Sequence, residues 1–328
     1  MEKARRSRRL TVARVWAIVL SIGVVWAAAQ TNRVPQASPG TVRIDAVAVP
    51  LNPQRPSEAA IGDFIYAGGL VLTSQQTDQL HGLSDLEVTG QDRLTAVSDF
   101  GALLEARLVF DARQRLVGLT DARLTRLTGQ DGEPLLDKTD GDAEGLALLA
   151  GGDRLVSFER RDRVWLYPAD GGLPRPAPKP DVSFPLNGGM EALSADPEAG
   201  ADAYVVGAEV SGDTWTCRLS SPSCVKGPSV AKSEEFGLVA IRRLPGKQSA
   251  YLLRAFDEKR GIRSSLQVFR GTAMIARMDL APPMTVDNFE GLAGVRRADG
   301  GIRFYLISDD NAAASQRTIL LAFDWQPR

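Results

Sequence analysis

Carboxylates recur at matched points along this 328-residue chain. Asp85 lies in Gly82-Leu83-Ser84-Asp85-Leu86, Glu144 in Asp142-Ala143-Glu144-Gly145-Leu146 and Glu191 in Gly189-Met190-Glu191-Ala192-Leu193. Glu290 lies in Asn288-Phe289-Glu290-Gly291-Leu292, and a weaker copy reads Glu235-Phe236-Gly237-Leu238-Val239. Asp99, Glu159 and Asp309, with Glu209 and Arg254 in corresponding places, follow the openings by 14–19 residues. Clustered carboxylates are ligands for Ca²⁺, a hard cation that takes about six to eight oxygens. Such an ion polarises a phosphoryl oxygen and lowers the pKa of a bound water. Without it, gathered carboxylates raise one another's pKa. A single acid at a strand end often only caps a backbone N–H. Repetition at matched positions is what argues for a shared site.

The remaining residue types narrow the chemistry. His81 is the one histidine, which excludes a histidine-phosphatase site and any multi-His zinc centre. Ser84 lies three residues from it, but no Gly-x-Ser-x-Gly elbow supports a Ser-His-Asp triad. His81 reads instead as a packing or hydrogen-bonding residue at the start of a repeat. Arg160 and Arg254 each stand beside a closing position. They either grip an anionic substrate in forked geometry or pair with the neighbouring acids.

The elements that must carry these residues are short strands. Counted from the closing Leu or Val, the repeats step by 60, 47, 46 and 53 residues. Each opens with an apolar run, turns through Gly and Asp (Gly90-Gln91-Asp92, Gly151-Gly152-Asp153, Asp299-Gly300-Gly301) and continues as a β-rich run. That is a hairpin grammar, and periods of roughly 40–50 residues filled with strands predict propeller blades. No long segment holds a helical apolar period. A hairpin returns its second strand to the side from which the first departed, so opening and closing acids share one rim. The proline-rich stretch from Pro168 to Pro185 reads as an inter-blade loop. Strands at Val42–Pro50 and Phe64–Thr73 precede the first full repeat and are expected to complete the last blade, hiding an edge.

The composition, 44% hydrophobic and 24% charged, suits a globular chain. Residues 1–29 combine a basic head with an apolar run from Val15 to Trp26 and Ala27-Ala28-Ala29, the layout of a signal peptide or an uncleaved signal anchor. Residues 30–40 read as a flexible lead-in and 41–328 as one propeller domain. The leading segment carries Lys3, Arg5, Arg6, Arg8, Arg9 and Arg14 against Glu2, so its removal takes the net charge from −1 to −6. An anionic export product excludes nucleic acid as partner. It leaves membrane contact, if any, to an uncleaved N-terminus, and a monomer is expected. Cys217 and Cys224, separated by the six residues Arg-Leu-Ser-Ser-Pro-Ser, are expected to staple one hairpin in an oxidising compartment.

With Ser98-Asp99, Phe158-Glu159, Asn187-Gly188-Gly189 and Ser308-Asp309-Asp310-Asn311 added to the openings, the chain resembles the secreted bacterial phytase-like β-propellers, a family described by the esterase-like activity of phytase. The resemblance spans about residues 64–325 and implies six blades, where the sequence itself shows five openings. It departs at Leu252-Leu253-Arg254, where the family tends to carry Leu-Glu-Arg. It implies a periplasmic or secreted hydrolase of phosphate or other ester bonds, acting on a small anionic or ester substrate. The candidate Ca²⁺ ligands are then Asp85, Glu144, Glu191 and Glu290, with Asp99, Glu159 and Asp309 close behind. Arg160, Arg254 and Asn311 are the candidate substrate contacts. A non-catalytic propeller that binds a ligand or partner of the cell envelope is the alternative.

Overall fold

The computed structural model describes residues 40–327. The export segment and nearly all of the expected lead-in therefore lie outside the described residues. Three strands come first: β1 (Asp45–Ala48), β2 (Ala60–Ile61) and β3 (Phe64–Thr73). Blade 1 then holds β4 (Leu83–Thr89), β5 (Arg93–Ser98), β6 (Ala102–Phe110) and β7 (Leu116–Arg126). A single-turn helix α1 (Lys138–Gly141), capped by the Asp137 side chain, leads into blade 2. Blade 2 holds β8 (Ala143–Leu148), β9 (Arg154–Phe158), β10 (Arg163–Tyr167) and β11 (Arg175–Ala177). Blade 3 has β12 (Ala192–Ala195), β13 (Ala203–Gly207), β14 (Thr214–Arg218) and β15 (Val225–Lys226). Blade 4 has β16 (Gly237–Leu244), β17 (Gln248–Asp257), β18 (Gly261–Arg270) and β19 (Ala273–Leu280). The last blade begins with β20 (Phe289–Arg296), β21 (Ile302–Ser308) and β22 (Ile319–Trp325).

The blade count is five, not the six that the family resemblance implied. The physical reason lies in the N-terminal strands. β3 pairs antiparallel with β22, from Ile319–Val71 to Trp325–Phe64, and β1 adds outside it. They finish the fifth blade and build no further one, so ends distant in sequence lock the ring shut. Phe64, Phe304 and Trp325 pack together at this seam, with ring centroids 6.1–6.3 Å apart. The proline-rich stretch also does more than connect blades, since it supplies β11, the outer strand of blade 2. A Pro in that edge strand is tolerated because no further strand asks for its N–H.

Five buried apolar clusters hold the blades together, one at each blade–blade junction. Their residues come from alternate positions of the innermost strands: Leu86, Leu146, Leu193, Ile241 and Leu292 are all fully buried. The closing Leu of four repeats is thus a core residue, as strand alternation requires, and in the weaker copy Ile241, two residues past Val239, takes that place. Cys217 and Cys224 form a disulfide tying β14 to the approach of β15. Among the described residues no helix is long and apolar enough to cross a membrane.

The axis is spanned by one ion pair. Asp85, on β4, has no exposed surface and accepts Arg242 Nη2 at 2.8 Å on Oδ1. Asp85 also accepts the backbone N–H of Leu146 at 2.8 Å and of Leu292 at 3.3 Å. Arg242, on β16, donates to the carbonyls of Leu193, Ile241 and Leu86 at 2.5–2.7 Å. All five innermost strands therefore meet at this pair. Truncating one partner of a buried ion pair strands the other and costs about 3–5 kcal/mol. Arg242→Met should lower the unfolding free energy from urea titration by that amount, and adding Asp85→Asn should recover part of the loss. Unfolding curves that coincide for parent and Arg242→Met would contradict the axial role.

Candidate functional site

The mouth is shaped by a backbone irregularity repeated round the ring. In β8 the pairing with β9 steps from Ala143–Phe158 to Gly145–Ser157, leaving Glu144 as an extra residue. In β20 it steps from Phe289–Ser308 to Gly291–Ile307, leaving Glu290. β4 leaves Ser84 in the same way and β16 leaves Val239. A β-bulge re-aims the side chain of its extra residue. Glu191 stands immediately before β12, at the corresponding point of blade 3. The Gly after the bulged Glu permits close approach of neighbouring blades. A Cβ at Gly145 would lie 2.7 Å from the Glu191 carbonyl oxygen, and one at Gly291 would lie 2.9 Å from Asp85 Cα.

The inner ring is therefore Ser84, Glu144, Glu191, Val239 and Glu290. Asp85 belongs to the next position, where Gly145, Ala192, Ala240 and Gly291 stand, which is why it meets Arg242 and not the other acids. The outer ring follows the second strands. Asp99, Glu159, Glu209 and Asp309 each donate their backbone N–H to the carbonyls of Gly82, Asp142, Gly189 and Asn288 at 2.9–3.1 Å. Arg254 fills the fifth place, opposite Gly237.

These side chains converge. Glu144 is held well above the usual carboxylate range by burial first and then by the charges of Asp142, Glu191, Glu290 and Asp99. Glu191 is raised likewise by burial and by Glu209, with Arg254 opposing. Burial pushes Glu290 to about 7 and Asp99 to about 6, against the pull of Arg254 and Lys138 respectively. Asp309 also rises with burial and the nearby Glu290 and Asp99.

Three cations offset part of this charge. Lys138, on α1, bonds Asp99 and lies 3.2 Å from Asp142. Arg160 donates from Nε to Asp142 at 2.5 Å. Arg254 bonds Glu290 at 2.7 Å, Asn288 at 2.6 Å and Glu209 at 3.0 Å. Both candidate substrate arginines are thus committed to acids. Asn311 donates its backbone N–H to Asp309 and its side-chain N–H to Gln316. Lys138 and Arg242 carry no signal from the repeat, and Asp142, although it heads the second opening phrase, was not among the candidate ligands. Only their contacts in the fold single them out.

One point is suited to a metal ion. Asp142, Glu144 and Glu159 place a carboxylate oxygen each within 4.8 Å of one another. The donors are all oxygens, as a hard divalent cation requires. Glu159 is oriented by the N–H groups of Gly188 and Gly189, which bind its Oε1 and leave Oε2 for another partner. Glu144 has no hydrogen-bond partner in the protein among the described residues, although only 9% of it is exposed. A cavity of about 520 Å³ between blades 1 and 2 is lined by Arg93, Glu105, Arg107 and Arg154, at the opposite strand ends, and holds none of these acids.

The raised carboxylates make stability fall as pH rises. A raised folded pKa favours the folded state below the unfolded pKa, and that advantage disappears as pH passes the folded value. For Asp99 the window runs from 3.8 to about 6, and for Glu290 from 4.5 to about 7. Metal-free protein should therefore melt at lower temperature at pH 7.5 than at pH 5. A melting temperature that rises across that interval would contradict the buried, mutually repelling cluster.

A search of the curated proteins finds no match. Among solved structures, the crystal structure of a nidogen/laminin complex aligns with 11% identity and a TM-score of 0.42, over 67% of this chain and 70% of that one. The family profile described as phytase-like, esterase-like activity of phytase, matches residues 78–312. That match covers all five innermost strands and both rings of the mouth, and the chain belongs to the phytase-like family.

Proposed function

We propose that this propeller is a Ca²⁺-dependent hydrolase of phosphate or other ester bonds, working at the channel mouth in the periplasm or outside the cell. The observation that carries the reading is the unpartnered, buried Glu144 within 4.8 Å ligand-atom reach of Asp142 and Glu159. Asp142, Glu144 and Glu159 would hold the cation, with Glu191 and Glu290 adding negative charge beside it. Bound there, Ca²⁺ supplies electrophilic polarisation of a phosphoryl or carbonyl oxygen. The protein's own groups do the rest. Lys138 and Arg160 hold Asp142 in place. Arg254 holds Glu290 and Glu209 on the far side. Exchange of these ion pairs for a substrate anion is the route by which the arginines meet substrate. Membership of the phytase-like family and the disulfide support an exported hydrolase. The full commitment of Arg254 to acids favours a second reading, a mouth that binds a ligand without turning it over.

Calorimetry separates metal binding from structure. Glu144→Gln keeps shape and removes one buried charge. Ca²⁺ affinity should drop about tenfold or more, on the scale by which ligand charge tunes such sites. Metal-free stability should rise, because an uncompensated carboxylate has gone. Hydrolysis of p-nitrophenyl phosphate or acetate should stop with chelator and return with Ca²⁺. Equal Ca²⁺ affinity in parent and variant would remove the proposed ligand. Ca²⁺ binding without turnover of either ester would leave the ligand-binding reading in its place.

A further inference from the structure

The chain's one histidine stands on the segment leading into β4, with 42% of its side chain exposed. His81 Nδ1 lies 2.8 Å from Oδ2 of Asp310. Asp310 is buried and fixed from three other directions. Its Oδ1 accepts the N–H groups of Gly82 and Ala312, each at 3.1 Å, and its Oδ2 accepts the Thr318 hydroxyl at 3.0 Å. An ionised carboxylate only accepts, so Nδ1 carries the hydrogen. Nε2 has no protein partner among the described residues. The backbone is tied as well: Ser98 Oγ donates to the His81 carbonyl at 2.7 Å. Ser84, the other candidate partner of this histidine, is buried and bonds the Gly82 carbonyl, so no serine triad forms.

The pair sits beside the carboxylate mouth. A Cβ at Gly82, the next residue, would fall 1.7 Å from Asp99 Oδ1. Asp99 bonds Lys138, and Lys138 reaches Asp142. A histidine on this segment, held by a buried carboxylate and with its second nitrogen unbonded by the protein, has the arrangement of a proton-transfer group.

We propose that His81 is the general acid of ester hydrolysis at this mouth and that Asp310 is its positioning residue. The proposal rests on the hydrolase reading above. The oxygen of water bonds to phosphorus while the bond from phosphorus to the alcohol oxygen breaks. The Nε2 proton passes to that leaving oxygen, giving the alcohol. The proton lost by the attacking water goes to solvent, from which the imidazole is recharged, so no other reactant is needed. The hydrogen bond from Asp310 raises the His81 pKa most; burial opposes it, and the charges of Asp310, Asp78 and Asp99 add to it. These three acids act on the ring from different elements. They come from the loop after β21, the segment before β4 and the end of β5.

Leaving-group dependence tests the assignment. p-Nitrophenolate departs without a proton, whereas an alkoxide needs one. His81→Gln should slow an alkyl phosphate by about 10²-fold or more, the usual worth of a general acid, and p-nitrophenyl phosphate far less. Asp310→Asn should slow the alkyl phosphate less than His81→Gln does and move the alkaline limb of the pH–rate profile to lower pH. Because one histidine is present, its imidazole NMR resonances are unambiguous. Inorganic phosphate added to the Ca²⁺-loaded protein should shift them. Equal slowing of both esters by His81→Gln, no slowing of either, or resonances unmoved by phosphate would each overturn the role while the hydrolase reading stands. Failure of the parent to cleave any ester with Ca²⁺ would sink both.

Discussion

The fold depends on the contact between Asp85 and Arg242. A five-bladed ring brings five strand starts to a narrow axis, where backbone groups face inward without a sheet partner. Asp85 and Arg242 answer those groups directly, binding N–H or C=O of Leu86, Leu146, Leu193, Ile241 and Leu292. Burial pushes Asp85 up to about 6 even so, with Arg242 and the two backbone N–H groups of Leu146 and Leu86 pulling it down. Glu87 stands 3.6 Å from Arg242 Nε and rises to about 7, chiefly through burial. The axis at this level is therefore closed by a polar clasp. The glutamates Glu144, Glu191 and Glu290 stand one residue earlier on their strands, at the mouth.

That one-residue displacement is produced by the bulges. A regular strand would turn the residue before Asp85, Gly145 or Gly291 away from its neighbours, and the extra residue at the bulge instead carries Glu144 and Glu290 into the mouth. The cost is a set of carboxylates that desolvation and mutual repulsion hold above their usual pKa range. Lys138, Arg160 and Arg254 offset part of it, each bonded to acids of the opening or closing set. A divalent cation would offset the remainder. The same arrangement thus explains why the cluster is poorly compensated and what it is suited to receive.

Much of this was legible in the chain. The repeats predicted strands, hairpins, a shared rim and closure by the N-terminal strands, because Gly/Asp turns and alternating apolar runs are local signals. The count of openings already pointed to five blades, and the family resemblance misled on that point. Placing Asp85 with the glutamates was a register error. Counting back from the closing Leu of each repeat puts Ser84, not Asp85, opposite Glu144, Glu191 and Glu290. The bulge that makes the distinction matter has no local signature beyond Glu-Gly. Lys138 and Arg242 were not legible, since a basic residue acquires its partners only when distant blades meet.

The most direct test is a proton count. Burial and neighbouring acids raise Glu144, Glu191 and Asp309, so a cation that binds among them competes with protons. Ca²⁺ titrations at pH 7 in buffers of differing ionisation enthalpy measure that number. The account predicts net release of at least about one proton per ion, declining as pH is raised. Binding with no proton release, or no binding at all, would contradict it.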